Sequence, residues 1–216
     1  MIGEIDYNID TLVQRYPELN SCKGSIYDAF CLLRNCFESG HKLLIAGNGG
    51  SSADADHIVG ELMKGFKKQR KINQDLAQHI IDIDAEKGEE IADALQQGLP
   101  AIALHNHNGL NTAFINDVNN GGEYMFAQQL LTYGNEGDIL LGISTSGNSK
   151  NVCNAAIVAK AKGLKVIGLV GESGGKLAKY ADVLIKAPSK ETFIIQEYHL
   201  PIYHCLCLML ENHFFR

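Results

Sequence analysis

Short apolar runs alternate along this chain with longer segments in which apolar residues recur every three to four positions. The apolar runs predict buried strands at residues 43–46, 101–104, 138–143, 165–170 and 183–185, and the helical spacing predicts helices between them. Strands that alternate with helices are typical of an α/β fold with a doubly wound parallel sheet. Such a sheet binds ligands at the carboxyl ends of its strands, near the point where the strand order reverses.

Helical patterns also extend on both sides of this alternating region. Residues 4–16 and 21–38 predict two helices within an N-terminal segment, residues 1–40, and residues 191–214 predict a long apolar helix at the other end. These helices are expected to pack on the sheet or on another subunit.

A polar segment interrupts the alternation between the first and second strands. Residues 73–98 predict a helical insertion, with Gly88 as its weak point because glycine disfavours helix interiors. The insertion has no apolar core of its own, and no repeat is visible, so we expect a single domain over residues 1–216.

Charge and cysteine usage exclude several classes of protein. The net charge of −6 disfavours a nucleic-acid surface built on positive field, so any phosphate must be held by local N–H groups, hydroxyls or a metal. The N-terminus carries early acids and lacks the apolar core of a signal peptide, and no run approaches the roughly 18 apolar residues of a membrane span. Six cysteines without a CxxC pair indicate reduced core residues, and we expect a cytoplasmic protein.

A glycine-rich turn follows the first strand at residues 47–52, GNGGSS. Ser51 or Ser52 is expected to cap the next helix, and a helix N-terminus behind a glycine turn is a natural seat for a phosphate. Further along, His57 and Glu61 are four residues apart and project from one helical face. This stretch alone is equally compatible with a tight turn and an ordinary surface pair.

A second loop, STSGNS at residues 144–149, places four hydroxyls between a buried strand and a helix start. Hydroxyls and helix N–H groups can surround a phosphate without a lysine. The loop lacks the Gly-Lys-Ser/Thr of a Walker A motif, and GNGGSS has Ser52 where a dinucleotide fingerprint needs glycine. A capped turn without a ligand is the alternative.

Polar residues interrupt the long apolar helix at its start. Gln196 and His204 are eight residues apart and share one side of the helix, whereas His199 points to another face and is expected to pack or lie at an interface. Cys205 and Cys207 are interpreted as core fillers. His105 and His107 are interpreted as polar loop residues. The basic stretch 64–71 either draws anions towards the site or complements a helix end.

Three motifs, GNGGSSADADHIVGEL, GISTSGNS and QEYHLPIYH, together resemble the sugar isomerase (SIS) fold, which is flavodoxin-like. Within that fold the chain is similar to the phosphoheptose isomerases, which interconvert sedoheptulose 7-phosphate and D-glycero-D-manno-heptose 7-phosphate. The similarity covers most of residues 20–214 but not the segment around 73–97. It implies a homotetramer with sites between subunits.

Carried over residue by residue, the resemblance implies substrate contacts and a metal site. The substrate-binding residues would be Asn48, Gly49, Gly50, Ser51, Asp117, Ser144, Thr145, Ser146, Ser149 and Gln196. A zinc ion would be bound by His57, Glu61, Gln196 and His204, with Asp54 behind them. Some family members carry an arginine four residues after the glutamate; this chain has Gly65, and Lys64 or Arg70 could supply that charge.

These residue types suit an aldose–ketose isomerase. Moving a proton between C1 and C2 through an enediolate needs a base at carbon and a second acid–base group at oxygen, for which the expected residues are Glu61 and His204. The alternatives are a non-catalytic SIS module that senses a sugar phosphate or binds a protein, and an isomerase or lyase of another phosphosugar.

Overall fold

The computed structural model describes the backbone of residues 2–215 and the side chains of residues 7–215; Met1 and Arg216, the ends of the predicted domain, lie outside the described residues. Five parallel strands form one sheet in the order β2-β1-β3-β4-β5. They are β1 Leu43–Ala46, β2 Ala101–Ala103, β3 Ile139–Ser144, β4 Lys165–Gly171 and β5 Val183–Ala187. This is the flavodoxin-like order of a doubly wound sheet, so the predicted fold class is confirmed.

Helices connect the strands and flank the sheet. Their bounds are α1 Ile2–Arg15, α2 Lys23–Glu38, α3 Gly50–Met63, α4 Gln74–Ile83, α5 Ala85–Ala94, α6 Asn108–Asp117, α7 Gly121–Tyr133, α8 Lys150–Ala161 and α9 Thr192–Phe214. Two 3₁₀ helices span Pro17–Cys22 and Lys176–Lys179. The second N-terminal helix was expected from residue 21, but residues Pro17–Cys22 form a 3₁₀ helix and the α-helix begins only at Lys23.

The strands bury both faces, and the two faces carry different helices. In β1, Leu43 and Ile45 join one apolar cluster and Leu44 and Ala46 join the other, as the two-residue period of a strand requires. The first cluster receives residues from α1, α2, α3 and α9, and the second from α7 and α8. Helices α3 and α9, far apart in the sequence, therefore lie on the same face of the sheet.

The polar segment forms two short helices, and its break is not where the sequence predicted. The segment turns at Asp84, whose carboxylate accepts the backbone N–H groups of Glu86 and Lys87 and so caps α5. Gly88 is buried inside α5, where a side chain would collide with the backbone of Ile80 and Ile81 in α4. The prediction that Gly88 is the weak point of the insertion was wrong, because the glycine lets α5 pack closely against α4.

Glu211 anchors the basic stretch 64–71 to helix α9. Its carboxylate accepts backbone N–H groups from Phe66, Lys67 and Lys68 and ion-pairs with the buried Arg70 at 3.0 Å. Burial alone would raise the pKa of Glu211, but these four partners lower it below its usual range. The stretch is thus a fixed strap between α3 and α9, a role that neither interpretation of the basic stretch from the sequence included.

Across residues 2–215, none of the helices is long and apolar enough to cross a membrane. All six cysteines lie in this part of the chain and none is paired in a disulfide. Cys205 and Cys207 lie in α9 and are buried in the core, as predicted.

Candidate active site

The two predicted anion-binding loops meet at the carboxyl edge of the sheet. Strands β1 and β3 are neighbours, so the turn into α3 and the turn into α8 lie side by side. The side-chain amides of Asn48 and Asn151 tie the turns together through two reciprocal hydrogen bonds of 2.9 Å. The strand order reverses between β1 and β3, which is where ligands bind in such sheets.

The start of α3 differs from the sequence prediction. The N-cap residue is Gly49, with a φ of +55° that favours glycine, and its position leaves α3 without a side-chain cap. Ser52 donates its hydroxyl to the carbonyl of Gly49 at 2.6 Å, and Ser51 is buried in the first turn, so neither serine caps the helix as predicted. The N-cap residue of α8 is Ser149, and its side chain likewise makes no capping hydrogen bond. In the first turns, the N–H groups of Ser51 and Ser52 bind the carbonyls of Asn48 and Gly49, and the N–H of Val152 binds the side chain of Asn151. Among the described residues, the first-turn N–H groups that remain for an anion are those of Gly50, Lys150 and Asn151.

Serine and threonine hydroxyls surround these two helix starts. We call Ser51, Ser144, Thr145, Ser146 and Ser149 the hydroxyl cradle. The Ser144 and Ser149 hydroxyls lie 3.0 Å apart, and the Ser146 hydroxyl accepts the N–H of Asn148. Each hydroxyl can rotate to donate to a phosphate oxygen, so the cradle suits a phosphate group.

A glycine fixes the backbone of the second loop. Gly147 has a φ of +65°, and a side chain there would collide with the backbone of Gly174 and Gly175. The Gly147 carbonyl also accepts the N–H of Leu177, which ties the loop to the following 3₁₀ helix. The shape of the cradle therefore depends on this backbone contact as well as on hydroxyls.

Helix α9 crosses the start of α3 at Gln196. Its side-chain amide packs directly on Gly50, and a Cβ at position 50 would collide with the amide nitrogen. Gln196 is thus beside the cradle, at the start of α3. Its predicted place next to the histidines is not shown by any hydrogen bond among the described residues and stays a prediction.

Further along α3, two histidines and a glutamate come together. His57 Nε2 lies 3.3 Å from Glu61 Oε1 and 3.3 Å from His204 Nε2 of α9. The two imidazole rings meet edge to face with centroids 4.8 Å apart. We call His57, Glu61, Tyr203 and His204 the imidazole–carboxylate cluster. The pair predicted on α3 and the histidine predicted on α9 are therefore neighbours.

Tyr203 completes the cluster and was missed by the sequence analysis. Its hydroxyl lies 3.0 Å from His57 Nδ1 and donates to Asp54 Oδ1 at 3.3 Å. Burial, with a further contribution from Asp54, raises the pKa of Tyr203 well above its usual range. No local pattern marks this tyrosine, because its partners lie on another helix; its position beside His204 was the available signal.

The cluster sits in a partly dry environment. Burial and the neighbouring His57 lower the pKa of His204, although Glu61 acts in the other direction, so His204 is neutral at pH 7. Burial raises the pKa of Asp54, against the opposing effects of Tyr203 and His57. Glu61 Oε2 is buried without a hydrogen bond from any described residue, and the nearest cation, Lys64 Nζ, is 3.7 Å away.

The structure separates the two cations proposed to stand in for the arginine replaced by Gly65. Arg70 is buried and donates to the carbonyls of Glu61 and Leu62 at the end of α3, so it faces the helix backbone and Glu211. The expectation that Arg70 could supply charge to the site was therefore wrong. Lys64 is close to the Glu61 carboxylate, and the N–H of Gly65 binds the side chain of Gln96.

The donors of the cluster fit zinc in kind, but they are not arranged as a finished site. Within the described residues, no three His, Cys, Asp or Glu side chains form a ready-made metal group. Two ligands of one tetrahedral zinc ion lie roughly 3.3 Å apart, which matches the distances from His57 Nε2 to Glu61 Oε1 and to His204 Nε2. The unpartnered Glu61 Oε2 is a further acceptor. Imidazole nitrogens and carboxylate oxygens are also the ligands zinc prefers.

A cavity of about 310 Å³ opens on the other side of His204, between α1 and α9. Its walls are mostly apolar, and they carry Arg15 and Asn8 as polar groups from α1. His204 therefore forms a wall between this cavity and His57.

Some candidate residues are not joined to the site. Asp117 lies at the end of α6, where its carboxylate accepts the amide of Asn116. Among the described residues, no hydrogen bond or ion pair links it to the cradle or the cluster. His105 pairs with Asp56 at 3.0 Å and His107 stacks on Tyr133, so both are polar loop residues as predicted.

His199 is also separate from the cluster. It is fully buried under the end of β4, with Nε2 3.4 Å from the carbonyl of Val170, and burial lowers its pKa to about 4. The prediction of a packing residue on another face of α9 is confirmed.

Comparison with known proteins gives a consistent result. A SIS domain family model matches residues 90–171. A phosphoheptose isomerase from Aneurinibacillus thermoaerophilus is 41% identical over 180 residues, which cover 83% of this chain and 77% of the relative. The structure of a phosphoheptose isomerase from Francisella tularensis is similar with a TM-score of 0.75 and 31% identity, covering 98% of each chain. The structure of a phosphoheptose isomerase from Neisseria gonorrhoeae is similar with a TM-score of 0.73 and 29% identity, covering 98% of this chain and 100% of that chain.

Proposed function

The chain belongs to the phosphoheptose isomerase family, and we propose that it converts sedoheptulose 7-phosphate to D-glycero-D-manno-heptose 7-phosphate with Glu61 and His204 as its acid–base groups. It is an aldose–ketose isomerase of a phosphosugar. The observation that carries the assignment of roles is that α3 contributes both Ser51 to the cradle and His57 and Glu61 to the cluster. Ser51 and His57 are six residues apart on α3, a rise of about 9 Å, comparable with the reach of an extended seven-carbon sugar.

The hydroxyl cradle binds the phosphate and leaves the sugar chain pointing along α3. Two uncapped helix starts and rotatable hydroxyls supply donors to the phosphate oxygens. Asn48, Gly49 and Gly50 line the turn, and Gln196 covers it from α9. Binding energy gained at the phosphate is then used to hold C1 and C2 against the cluster.

Glu61 carries the proton between C1 and C2. Its two oxygens have different surroundings: Oε1 faces His57, whereas Oε2 is buried without a hydrogen bond among the described residues. A carboxylate oxygen without a donor is the better proton acceptor, because no hydrogen bond stabilises its charge. The Glu61 carboxylate is therefore the group that takes the proton from carbon and returns it to the neighbouring carbon.

His204 transfers protons at oxygen. Burial and His57 keep its imidazole neutral at pH 7. A neutral imidazole can accept a proton from one sugar oxygen and return it to the other, and the same group can open the sugar ring. The ring of His204 packs edge to face on that of His57, so it lies close to the groups that act on carbon.

A zinc ion is part of this proposal. His57, Glu61, Gln196 and His204 would hold it, and the donor types and the 3.3 Å separations around His57 support this. When bound, zinc would act as a Lewis acid that stabilises negative charge on the enediolate oxygens. Because Oε1 and Oε2 of Glu61 are in different surroundings, one oxygen can face a cation while the other accepts a proton.

The assembly and location complete the proposal. We expect a homotetramer with sites between subunits, because α9 exposes apolar side chains that another subunit could cover. Phe193 is 61% exposed and Leu200 is 40% exposed. We also expect the enzyme in the cytoplasm, because its six cysteines are unpaired. Light scattering coupled to size exclusion tests the tetramer; a monomer at micromolar concentration would contradict it.

The experiment that tests the function is proton NMR in D₂O with sedoheptulose 7-phosphate, with a chelator and with added zinc. We expect an aldose product and loss of the signal of the transferred hydrogen as deuterium enters. A sensor needs only the cradle and would bind the sugar without either change. Exchange absent under every condition, with sugar binding intact, would contradict the proposal; turnover of another sugar phosphate alone would contradict the heptose assignment.

A further inference from the structure

Tyr203 is a large buried side chain whose one polar atom lies between two residues of α3. The side chain is 2% exposed, and its hydroxyl lies 3.3 Å from Asp54 Oδ1 and 3.0 Å from His57 Nδ1. Asp54 and His57 are three residues apart and therefore share a face of the helix. A hydroxyl from α9 is thus inserted between a carboxylate and an imidazole of α3.

The number of protons available decides the direction of these two hydrogen bonds. A phenol carries one proton at neutral pH and can accept hydrogen bonds at its oxygen. The Asp54 carboxylate is acceptor-only when ionised, so the phenol proton goes to Asp54 Oδ1. The contact with His57 Nδ1 then requires a proton on that nitrogen, with the Tyr203 oxygen as acceptor.

We propose that Tyr203, held by Asp54, is a positioning residue that fixes His57 in the tautomer with its proton on Nδ1. Neutral His57 then presents the lone pair of Nε2 to Glu61 Oε1 and His204 Nε2, each 3.3 Å away. The relay runs from His57 Nδ1–H to the Tyr203 oxygen and from the Tyr203 hydroxyl to Asp54. In histidines generally, the hydrogen bond made by one ring nitrogen determines whether the other nitrogen carries a proton.

This tautomer determines what the cluster can hold. With Nε2 unprotonated, His57 and the Glu61 carboxylate are two acceptors that face each other at 3.3 Å. Two acceptors at that distance repel unless a proton or a cation lies between them. The other tautomer would let His57 Nε2 donate to Glu61 Oε1 and occupy the space. Tyr203 therefore keeps the centre of the cluster open for a transferred proton or a positive ion.

The test is the ring-nitrogen NMR pattern of His57 in metal-free protein labelled with ¹⁵N-histidine, assigned by its loss in His57→Gln. We expect the wild type to carry the proton on Nδ1. Tyr203→Phe removes both hydrogen bonds and should move the proton, wholly or in part, to Nε2. Asp54→Ala keeps the tyrosine but removes its acceptor, so the phenol can donate to Nδ1 and the Nε2–H form should again appear.

Tyr198→Phe is the matched control. Tyr198 lies five residues earlier on α9, packs against the core, and makes no side-chain hydrogen bond among the described residues. Tyr198→Phe should keep the wild-type tautomer. Thermal unfolding should show that Tyr203→Phe, Asp54→Ala and Tyr198→Phe are all folded. If Tyr203→Phe does not fold, Asp54→Ala alone decides the matter.

A wild-type His57 with its proton on Nε2, or a tautomer unchanged in both Asp54→Ala and Tyr203→Phe, would overturn the inference. The inference rests on the proposed function only in assigning a catalytic role to the cluster. The tautomer of His57 is measured by NMR without substrate and does not depend on that role. Failure of isomerisation in the wild type is therefore distinguishable from failure of the relay. With an active enzyme, Tyr203→Phe should lower kcat about tenfold and leave KM unchanged, because the phosphate contacts are intact.

Discussion

The hydroxyl cradle and the imidazole–carboxylate cluster both use residues of α3 but are built in different ways. The cradle comes from two strand-to-helix turns, and four of its five hydroxyls fall within six consecutive residues. The cluster joins side chains 147 positions apart, brought together because α3 and α9 pack on one face of the sheet. Binding is thus encoded in local backbone geometry, whereas the chemistry depends on the packing of two helices.

This difference predicts different responses to mutation. The cradle has several donors, so loss of one hydroxyl leaves the others and mainly raises KM. Each side chain of the cluster has its own role, so loss of one should lower kcat and leave phosphate binding in place. The following substitutions test this separation, beginning with the largest expected effect.

His204→Asn should lower kcat about 1,000-fold, within the range for loss of a general acid–base group. The change removes the group that moves protons at oxygen and keeps a polar side chain near His57. Steady-state kinetics, together with inorganic phosphate as a competitive inhibitor, provides the measurement. His213→Asn, on the same helix but paired with Glu38, is the control and should retain wild-type kcat. A kcat within threefold of the wild type for His204→Asn would remove it from the chemistry.

Gly147→Ala should lower kcat/KM about 100-fold, mostly through KM. The new methyl group meets the backbone of Gly174, and a φ of +65° costs a non-glycine residue about 1–2 kcal/mol. Titration with inorganic phosphate should show a matching loss of affinity. Gly24→Ala is a suitable control because open space surrounds that position. Unchanged phosphate affinity in Gly147→Ala would mean that the cradle does not depend on this turn.

Ser149→Ala should raise KM about tenfold and leave kcat within a factor of two. One hydrogen bond to a charged group contributes about 1.5–3 kcal/mol, and part of that loss is recovered because Ser144, its partner at 3.0 Å, can donate instead. Ser21→Ala is the control, because this exposed hydroxyl donates to the carbonyl of Glu18 and makes no hydrogen bond to the cradle among the described residues. A large loss of kcat with unchanged KM would contradict the division between binding and chemistry.

Lys64→Met should lower kcat/KM only about threefold. Lys64 is largely exposed and 3.7 Å from Glu61 Oε2, and exposed ion pairs contribute about 0.2–1 kcal/mol. The effect should shrink further at high salt because exposed charges are screened. Lys71→Met, which breaks an exposed pair with Asp93, is the control. A loss above 50-fold in Lys64→Met would show that the lysine touches the substrate directly.

The same contrast explains which features could be predicted from the sequence. The strands, both loops and the pair on α3 follow from local patterns. Helical spacing marked His204 together with Gln196, and the resemblance gave His204 its role. Tyr203 could not be found in this way because its partners lie on another helix, and Arg70 looked like a surface cation because Glu211 is 141 positions away. At the first loop the sequence predicted a serine N-cap, but the N-cap is Gly49. The general preference for serine fails here because this turn requires a φ of +55°, which favours glycine.

The central claim is that Glu61 moves the carbon-bound proton while the cradle only binds the phosphate. Its most direct test is solvent-hydrogen exchange at C1 and C2 of sedoheptulose 7-phosphate with Glu61→Gln, measured by proton NMR in D₂O beside the phosphate affinity of the same protein. We predict that exchange falls at least 1,000-fold while phosphate affinity stays at the wild-type value. Exchange at a near-wild-type rate in this variant would contradict the account.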